Sequence, residues 1–350
     1  MDIGGRLRAA RTRAGLTQSE LARECGVSTA AISKFERSGC RPSLEVLLAI
    51  ADALETTVDF LVRPASNLET RWCHRKLSKL GKRRSEALEV YAQDAFERRL
   101  TLERIVYGDD HPAYDGPRNI AVTRPEDAED AARQLRDFLG VGVGPIVDLI
   151  GLLEQHDFRV AVAPEGFDGS DGLCAWAGDN VPFIMAASSS GDRRRFTVAH
   201  ELAHLVCSID AGLDDESIGH RFAGALLIPC AAIHDLVDSE GRIDTLDDLL
   251  PVKMEYGISV SALIYRYRDC GVISDRMHRR LYMSLSSRGW RRSEPGSVPL
   301  EEPREMDRLV DHALARGLIY EPRAAELKGL PLREFLTERR GGAEVIAQST

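Results

Sequence analysis

The sequence lacks any long apolar run. Its 350 residues contain no stretch of 18 consecutive apolar residues, and its start shows no charged segment followed by an apolar one. A membrane-spanning helix needs about 20 mostly apolar residues, and a secretory signal needs that charged-then-apolar order. We therefore expect no membrane partner and no secretion, and we predict a cytoplasmic location.

Regular cysteine spacing is also missing. The seven cysteines are scattered, odd in number and include no Cys-x-x-Cys pair. A disulfide framework and a cysteine zinc knuckle both depend on regular spacing. The sequence therefore argues against both, and we expect mostly buried, reduced thiols.

The net charge of −9 hides a segregation of charge along the chain. Lysine and arginine are concentrated between Arg71 and Arg104, whereas GLDDESIG (212–219) and DTLDDLL (244–250) are acidic. Phosphate binding needs local rather than total positive charge. The negative net charge therefore does not exclude a nucleic-acid partner.

Apolar periodicity divides the chain. Residues 1–63 repeat apolar side chains at helical spacing and predict four or five short helices, whose starts Thr17, Ser28 and Ser43 would cap. Residues 64–119 read as a basic arm, helical over about 85–106, that ends in a loop. Residues 293–350, beginning with SEPGSVPLEEP, read as a flexible linker and a small helical piece.

Three short strands are predicted in the centre, over FRVAVA (158–163), LCAWA (173–177) and PFIMAA (182–187). A helix carrying His-Glu-x-x-His follows them. This order favours an α+β domain over residues 120–292 with a small antiparallel sheet, placed after an all-α domain.

TQSELARECGVSTAAISKFERS (17–38) has the layout of a helix-turn-helix. Ala22 permits close helix approach, Gly26 permits the turn, and Val27 and Ile32 fill the shared core. The second helix then exposes small and polar side chains suited to the major groove, and polar helix starts suit phosphate contact.

Through LTQSELA, GVS, IS-x-FE and RPS, residues 3–62 resemble the XRE family of helix-turn-helix regulators. The resemblance implies a double-stranded DNA operator, and a homodimer would strengthen binding. With the polar helix starts, it gives these expected DNA contacts: Gln18, Ser28, Thr29, Ser33, Lys34 and Arg37. The alternative is a helical bundle used only for protein contact or dimerisation.

RRFTVAHELAHLVC (194–207) contains His-Glu-x-x-His. Helix positions i and i+4 share a face, so His200 and His204 can hold one metal while Glu201 lies beside them. Chance produces this pattern roughly 0.02 times in a chain of this composition. A zinc protease needs two imidazoles, a third ligand and a carboxylate that takes a proton from the attacking water.

FIMAAS, RRRFTVAHELAHLVC and HRFAGALLIP (220–229) resemble, in order and spacing, the ImmA/IrrE-type metallopeptidases. The resemblance covers about residues 120–290. It implies a zincin-like fold, zinc or another divalent metal such as manganese, and intracellular protein substrates that are often regulators. His200 and His204 then map to metal ligands and Glu201 to the general base.

The third ligand departs from that family. Many relatives carry glutamate four residues before the phenylalanine of FA-x-x-L-L, and this chain has Ile218 there. We prefer Glu216, with His220 as the alternative and Asp215 as a further nearby candidate. Glu216 and His220 are i and i+4 and can share a helix face. A two-histidine site that binds metal weakly or not at all is also open.

Two functions follow. The first is a DNA-binding regulator with a metal-dependent endopeptidase domain that cleaves a partner regulator in a stress or toxin-antitoxin type response. The second is a transcription factor whose peptidase-like domain only senses a ligand or metal. The run Arg193–Arg195 reads as a solvated face or, alternatively, as a guide for acidic substrates.

Overall fold

The computed structural model describes most of the chain. The described residues are 3–37, 40–63, 70–73, 82–108, 110, 112–167, 172–187, 190–241 and 243–339. The basic segment RKLSKLGKRR (75–84) lies largely outside them.

Five helices form in the described part of residues 3–63, as the periodicity predicts. They are α1 (Ile3–Arg13), α2 (Gln18–Glu24), α3 (Thr29–Arg37), α4 (Leu44–Ala53) and α5 (Val58–Val62). The predicted caps are confirmed, because Thr17, Ser28 and Ser43 each accept a backbone N–H three residues later. Gly26 takes a φ of 66° at the turn between α2 and α3, where a Cβ would be strained.

The predicted arm is a long central helix, α6 (Lys82–Tyr107). It packs on the first domain, where buried Arg6 of α1 donates to Asp94 at 2.6 Å. It also packs on the sheet, where the Phe96 ring stacks on Phe183 with centroids 4.6 Å apart. Because α6 packs on the first domain and on the sheet, it is not an arm that extends away from them.

A small mixed sheet carries the predicted strands. Its order is β1 (Thr70–Trp72), β4 (Leu173–Ala177), β5 (Val181–Ala186) and β3 (Arg159–Val162) among the described residues. The pairs β1–β4 and β4–β5 are antiparallel, as expected for this α+β fold. The pair β3–β5 is parallel instead, because the chain reverses direction between β3 and β4 and again between β4 and β5. The helix α8 (Leu149–Gln155) precedes β3. A second, parallel pair joins β2 (Ile120–Val122) to β6 (Cys207–Ile209).

The sheet separates two apolar cores. Cys174, Trp176 and Ile184 face the core that contains α9 (Gly191–Val206), which carries the His-Glu-x-x-His motif. Phe183 and Met185 point the other way, into a core shared with α1 and α6. Alternation along each strand produces this division.

Further helices complete the second domain and the C-terminal piece. They are α7 (Asp127–Phe138), α10 (Asp215–Leu227), α11 (Cys230–Glu240), α12 (Leu250–Tyr256), α13 (Val260–Asp269), α14 (Asp275–Ser287), α15 (Glu305–Ala315) and α16 (Glu321–Lys328). A short 3₁₀ turn, Asp247–Leu249, precedes α12, and residues 332–339 are helical. The last helices pack on α6 around a third apolar cluster.

The segment predicted as a flexible linker is anchored to the second domain. Glu294 accepts from Lys253 Nζ at 2.9 Å and from the backbone N–H of Val260 at 2.8 Å. Glu301 pairs with Arg195, and Arg194 donates to the Glu301 carbonyl at 2.8 Å. Arg194 and Arg195 are therefore buried structural residues, so both readings of the arginine run are wrong for these two; Arg193 alone is exposed.

The cysteine prediction is partly wrong. Cys230 of α11 and Cys270 at the end of α13 form a disulfide. The other five are reduced, and only Cys174 among them is buried, the rest being partly exposed. Scattered spacing could not reveal the disulfide because its halves lie 40 residues apart.

In the described part of the chain, no single helix has the length and apolar composition to cross a membrane. One bent pair, Asp215–Leu227 with Cys230–Ser239, passes that test when the two helices are taken together.

Candidate functional site

Two turns of α9 form the floor of the site. His200 and His204 lie four residues apart, and their Nε2 atoms are 3.1 Å from each other. His200 and Glu201 are buried, whereas His204 is partly exposed and lines a cleft of about 600 Å³. Nearby imidazole nitrogens of this kind can bind one cation.

The first turn of α10 supplies a carboxylate to the same place. Asp214 caps α10 by accepting the Ser217 N–H at 3.2 Å, which fixes the turn that carries Glu216. Glu216 Oε2 lies 3.6 Å from His200 Nε2. One donor atom each from His200, His204 and Glu216 lie within 4.8 Å of one another.

The other predicted ligand candidates do not bring a donor atom into that group. His220 is exposed, its ring lies against the His200 ring with centroids 4.8 Å apart, and its Nδ1 donates to the Glu216 carbonyl at 2.7 Å. Ile218, at the position where many relatives of the resembled family carry glutamate, is 2% exposed and packs in the core. Asp215 lies on the cleft wall. Among these candidates in the described residues, Glu216 is the one whose carboxylate lies with the two histidines.

Two glycines make room for the site, and neither was predicted from the sequence. A Cβ on Gly219 of α10 would come within 2.6 Å of His200 Cε1. A Cβ on Gly172, just before β4, would come within 2.6 Å of Glu201 Cγ. Real Cβ atoms do not approach so closely, so each glycine leaves space for one side chain of the motif. A glycine inside a helical pattern was the signal available for Gly219.

A cysteine also contacts the general-base candidate. Cys174 of β4 is 3% exposed, and burial raises the pKa of its thiol. Hydrogen bonds to Cys73 and to Glu201 raise that pKa further. No local sequence pattern indicates this contact, because Cys174 and Glu201 come from different elements.

The described part of the cleft combines aromatic and charged walls. Trp72 and Cys73 belong to the β1 side, and Trp176 to β4. Arg118 lies over the Trp176 ring, 5.7 Å from its centroid. The cleft is open to solvent and bounded by the edge strand β1.

The predicted DNA-contacting residues lie on and beside α3. Ser28, Thr29, Lys34 and Arg37 are exposed, and Ser33 is partly exposed. Buried Ile32 and Glu36 hold the opposite face of α3 against the domain. α3 therefore presents a small, polar and basic surface.

Gln18, at the start of α2, is oriented from within the domain. Its Nε2 donates to Glu36 Oε2 at 2.8 Å, and Glu36 also accepts from Arg11 at 2.6 Å. These bonds fix the Gln18 side chain next to α3. The structure brings the six predicted DNA contacts together, well separated in sequence from the histidine site.

Comparisons with known proteins agree with both halves. Residues 2–61 match the family described as helix-turn-helix domain, and residues 153–268 match the family described as IrrE N-terminal-like domain. Repressor protein C2 of Salmonella phage P22 is 41% identical over 61 residues, 17% of this chain and 28% of that protein. The cryptic phage CTXphi transcriptional repressor RstR of Vibrio cholerae is 29% identical over 111 residues, 31% of this chain and 99% of that protein.

No solved structure matches the chain. The two family matches cover separate stretches, and the first falls on α1–α5 while the second runs from α8 to α13. The chain therefore joins an XRE-type helix-turn-helix domain to an IrrE-like domain of the metallopeptidase type.

Proposed function

We propose that this chain is a transcriptional regulator that binds double-stranded DNA and also carries a metal-dependent endopeptidase. The observation that supports the enzyme most is that donor atoms of His200, His204 and Glu216 lie within 4.8 Å of one another. They lie beside Glu201 and beside a cleft of about 600 Å³ that His204 lines. The similarity to two phage repressors supports the regulatory part.

The donor set fits a divalent cation. Two imidazole nitrogens and one carboxylate oxygen are the protein ligands of many catalytic zinc sites, which keep a fourth position for water or substrate. Gly219 leaves His200 the space it needs. We propose zinc, with manganese as the alternative. When bound, such an ion supplies Lewis acidity toward the peptide carbonyl and toward water.

The chain's own residues carry the proton transfers. Glu201 takes a proton from the attacking water and delivers it to the leaving amine, as a general base and then a general acid. We propose that the Cys174 thiol donates a hydrogen bond to the Glu201 carboxylate. The cleft walls bind the substrate, which we propose to be a partner regulatory protein cleaved in a stress or toxin-antitoxin type response.

Metal analysis and a cleavage assay test the enzyme. We expect about one equivalent of metal in the wild type and in Glu201→Gln, because the glutamate is not a ligand. A peptide library is cut by the wild type and by Arg193→Gln, a change on the exposed side of α9, but not by Glu201→Gln. Equal cutting by wild type and Glu201→Gln would remove the assignment of Glu201.

Fluorescence anisotropy tests DNA binding. A fragment from upstream of the chain's own gene, where we propose a palindromic operator, should bind with an affinity that falls as salt rises. Lys34→Ala or Arg37→Ala should weaken binding and reduce the salt slope by about one for each phosphate that the variant no longer binds. Glu201→Gln should bind like the wild type, and salt-independent binding would contradict the proposal.

A non-catalytic sensor is the second candidate. The burial of Ile218 favours it, because the expected ligand position of the resembled family is apolar here. Under this alternative, metal changes DNA affinity while the wild type cuts nothing in the library.

A further inference from the structure

We propose that Cys73 and Cys174 form a redox site that a hydroperoxide converts to a disulfide across strands β1 and β4, beside Glu201. The two residues face each other in the antiparallel register that pairs Trp72 with Ala175. The cross-link itself is independent of catalysis, while its effect on cleavage rests on the proposed peptidase function.

Backbone geometry supports the bond. Cys73 N–H donates to the Cys174 carbonyl at 3.0 Å, so the residues are a directly opposed, hydrogen-bonded pair. Such pairs have Cα atoms about 5.5 Å apart, which lies within the range that disulfides require. Both side chains lie on the side of the sheet that faces the core containing α9. A disulfide also needs Cβ atoms about 3.5–4.5 Å apart, so a small shift of the edge strand β1 toward β4 completes the bond.

The two thiols differ in access, which assigns their roles. Cys73 is partly exposed and lines the cleft, so a small peroxide reaches it from solvent. Cys174 is buried and has a raised pKa, so it does not react first. Reactive cysteines are accessible, and a neighbouring thiol resolves the product.

The reaction balances with one peroxide. The Cys73 sulfur attacks a peroxide oxygen, the O–O bond breaks, and a sulfenic acid and one water form. The Cys174 sulfur then attacks the Cys73 sulfur, the S–O bond breaks, and the Cys174 proton leaves with the hydroxyl as a second water. The two thiols together lose two electrons and two protons, and the peroxide accepts both electrons and both protons.

Oxidation changes the site in two ways. Glu201 loses the hydrogen bond from the Cys174 thiol, so its carboxylate is no longer oriented from β4. Residues 70–73, which lie between the helix-turn-helix domain and α6, become covalently fixed along the cleft that His204 lines. We expect the oxidised chain to cleave more slowly and a thiol reductant to restore the rate.

Thiol counting and peptide mapping of the full chain test the site with hydrogen peroxide. The wild type should lose two of its five thiols and yield a tryptic peptide WCHR (72–75) joined to the one with Cys174. Cys73→Ser should form no such link and should melt at the wild-type temperature, as its side chain is partly exposed. Cys40→Ser, a partly exposed cysteine of the first domain, should still form the bond.

Each other outcome is decisive. Absence of the linked peptide at full peroxide consumption, or a link from Cys73 to Cys207 on the same cleft, overturns the site. A link that forms without changing the rate of an active peptidase overturns the regulatory effect. A link that forms in a chain inactive even when reduced leaves the redox site standing and removes the proposed peptidase.

Discussion

At the residue scale, the absence of a side chain is as important as the ligands. The His200 ring occupies the volume that a Cβ on Gly219 would take, at 2.6 Å from Cε1. Ala normally stabilises a helix interior relative to Gly by roughly 1 kcal/mol. At this position the added methyl group would instead conflict with the ring of His200, a proposed metal ligand.

We predict that Gly219→Ala keeps the fold but lowers metal affinity at least tenfold, because the new methyl group displaces the His200 ring. Isothermal titration with zinc measures the affinity, and circular dichroism checks the helices. Gly224→Ala in the same helix is the control, since its nearest neighbour is the long Arg266 side chain at 3.1 Å. Unchanged zinc binding by Gly219→Ala would show that the ring can move without loss.

The third ligand gives a second prediction at this scale. Glu216→Gln should reduce bound metal to well below one equivalent, whereas His220→Gln should retain it, because a donor atom of Glu216, and not one of His220, lies with those of His200 and His204 within 4.8 Å. Elemental analysis of both purified variants decides between them. The reverse result would assign the site to His220.

Sequence reasoning reached His200, Glu201 and His204 because helical periodicity alone puts them together. It left Glu216 and His220 open because both share one helix face. Only the packing of α10 on α9 distinguishes them, because it places a Glu216 oxygen with the two histidine nitrogens and lays the His220 ring against the His200 ring. Contacts between distant elements, such as Cys174 with Glu201, had no local pattern to reveal them.

At the element scale, caps and strands followed local chemistry closely. LCAWA is β4 as predicted, and α2 begins at the residue after its predicted cap. The Thr17 hydroxyl accepts the Glu20 N–H at 3.2 Å, and the Glu20 carboxylate accepts the Thr17 N–H at 2.7 Å. This reciprocal pair is a capping box.

Thr17→Ala should therefore lower the free energy of unfolding by about 1 kcal/mol. Urea denaturation followed by circular dichroism measures the change. Ser19→Ala, an exposed position in the same turn, should leave the midpoint unchanged. Equal effects of the two substitutions would mean that the cap is not responsible.

A buried ion pair joins α6 to β3. Burial opposes ionisation of Glu103, yet hydrogen bonds and charges from Arg159 and Arg99 outweigh it and hold the pKa of Glu103 below its ordinary value of 4.5. A carboxyl with a lowered folded-state pKa adds stability above its unfolded pKa, and this stability is lost as pH falls through the folded value.

Glu103→Gln should thus destabilise the protein most at neutral pH, by about 3 kcal/mol, because Arg159 loses its buried partner. The difference from wild type should shrink as pH falls below 4.5. Urea unfolding at several pH values gives the curve, with Asp130→Asn in an exposed ion pair as control. A difference that does not vary with pH would contradict the charge-based account.

At the scale of the whole molecule, the first domain and the sheet share one apolar core through α6. Leu7 of α1, Phe96 of α6 and Phe183 of β5 belong to the same cluster. The proposed bounds at 63, 119 and 292 stay a prediction. Sequence periodicity indicates where each helix begins and ends, but it does not show which other elements that helix packs against.

We predict that Leu7→Ala lowers the stability of both domains together, by about 2 to 5 kcal/mol. The three tryptophans, Trp72, Trp176 and Trp290, all lie outside the first domain, so their fluorescence reports the second one. The unfolding midpoint of the second domain should shift with Leu7→Ala and not with Leu44→Ala, because the Leu44 side chain is 67% exposed. An unshifted tryptophan transition would mean that the domains unfold independently.

The position of α6 also limits how this protein can be divided. A fragment ending at residue 63 would leave α1 with an uncovered apolar face and with Arg6 lacking Asp94. In the rest of the chain, α6 would have an equally uncovered apolar face. The two proposed activities therefore belong to one folding unit. A destabilising substitution on either side of α6 should remove both activities from a cell at once.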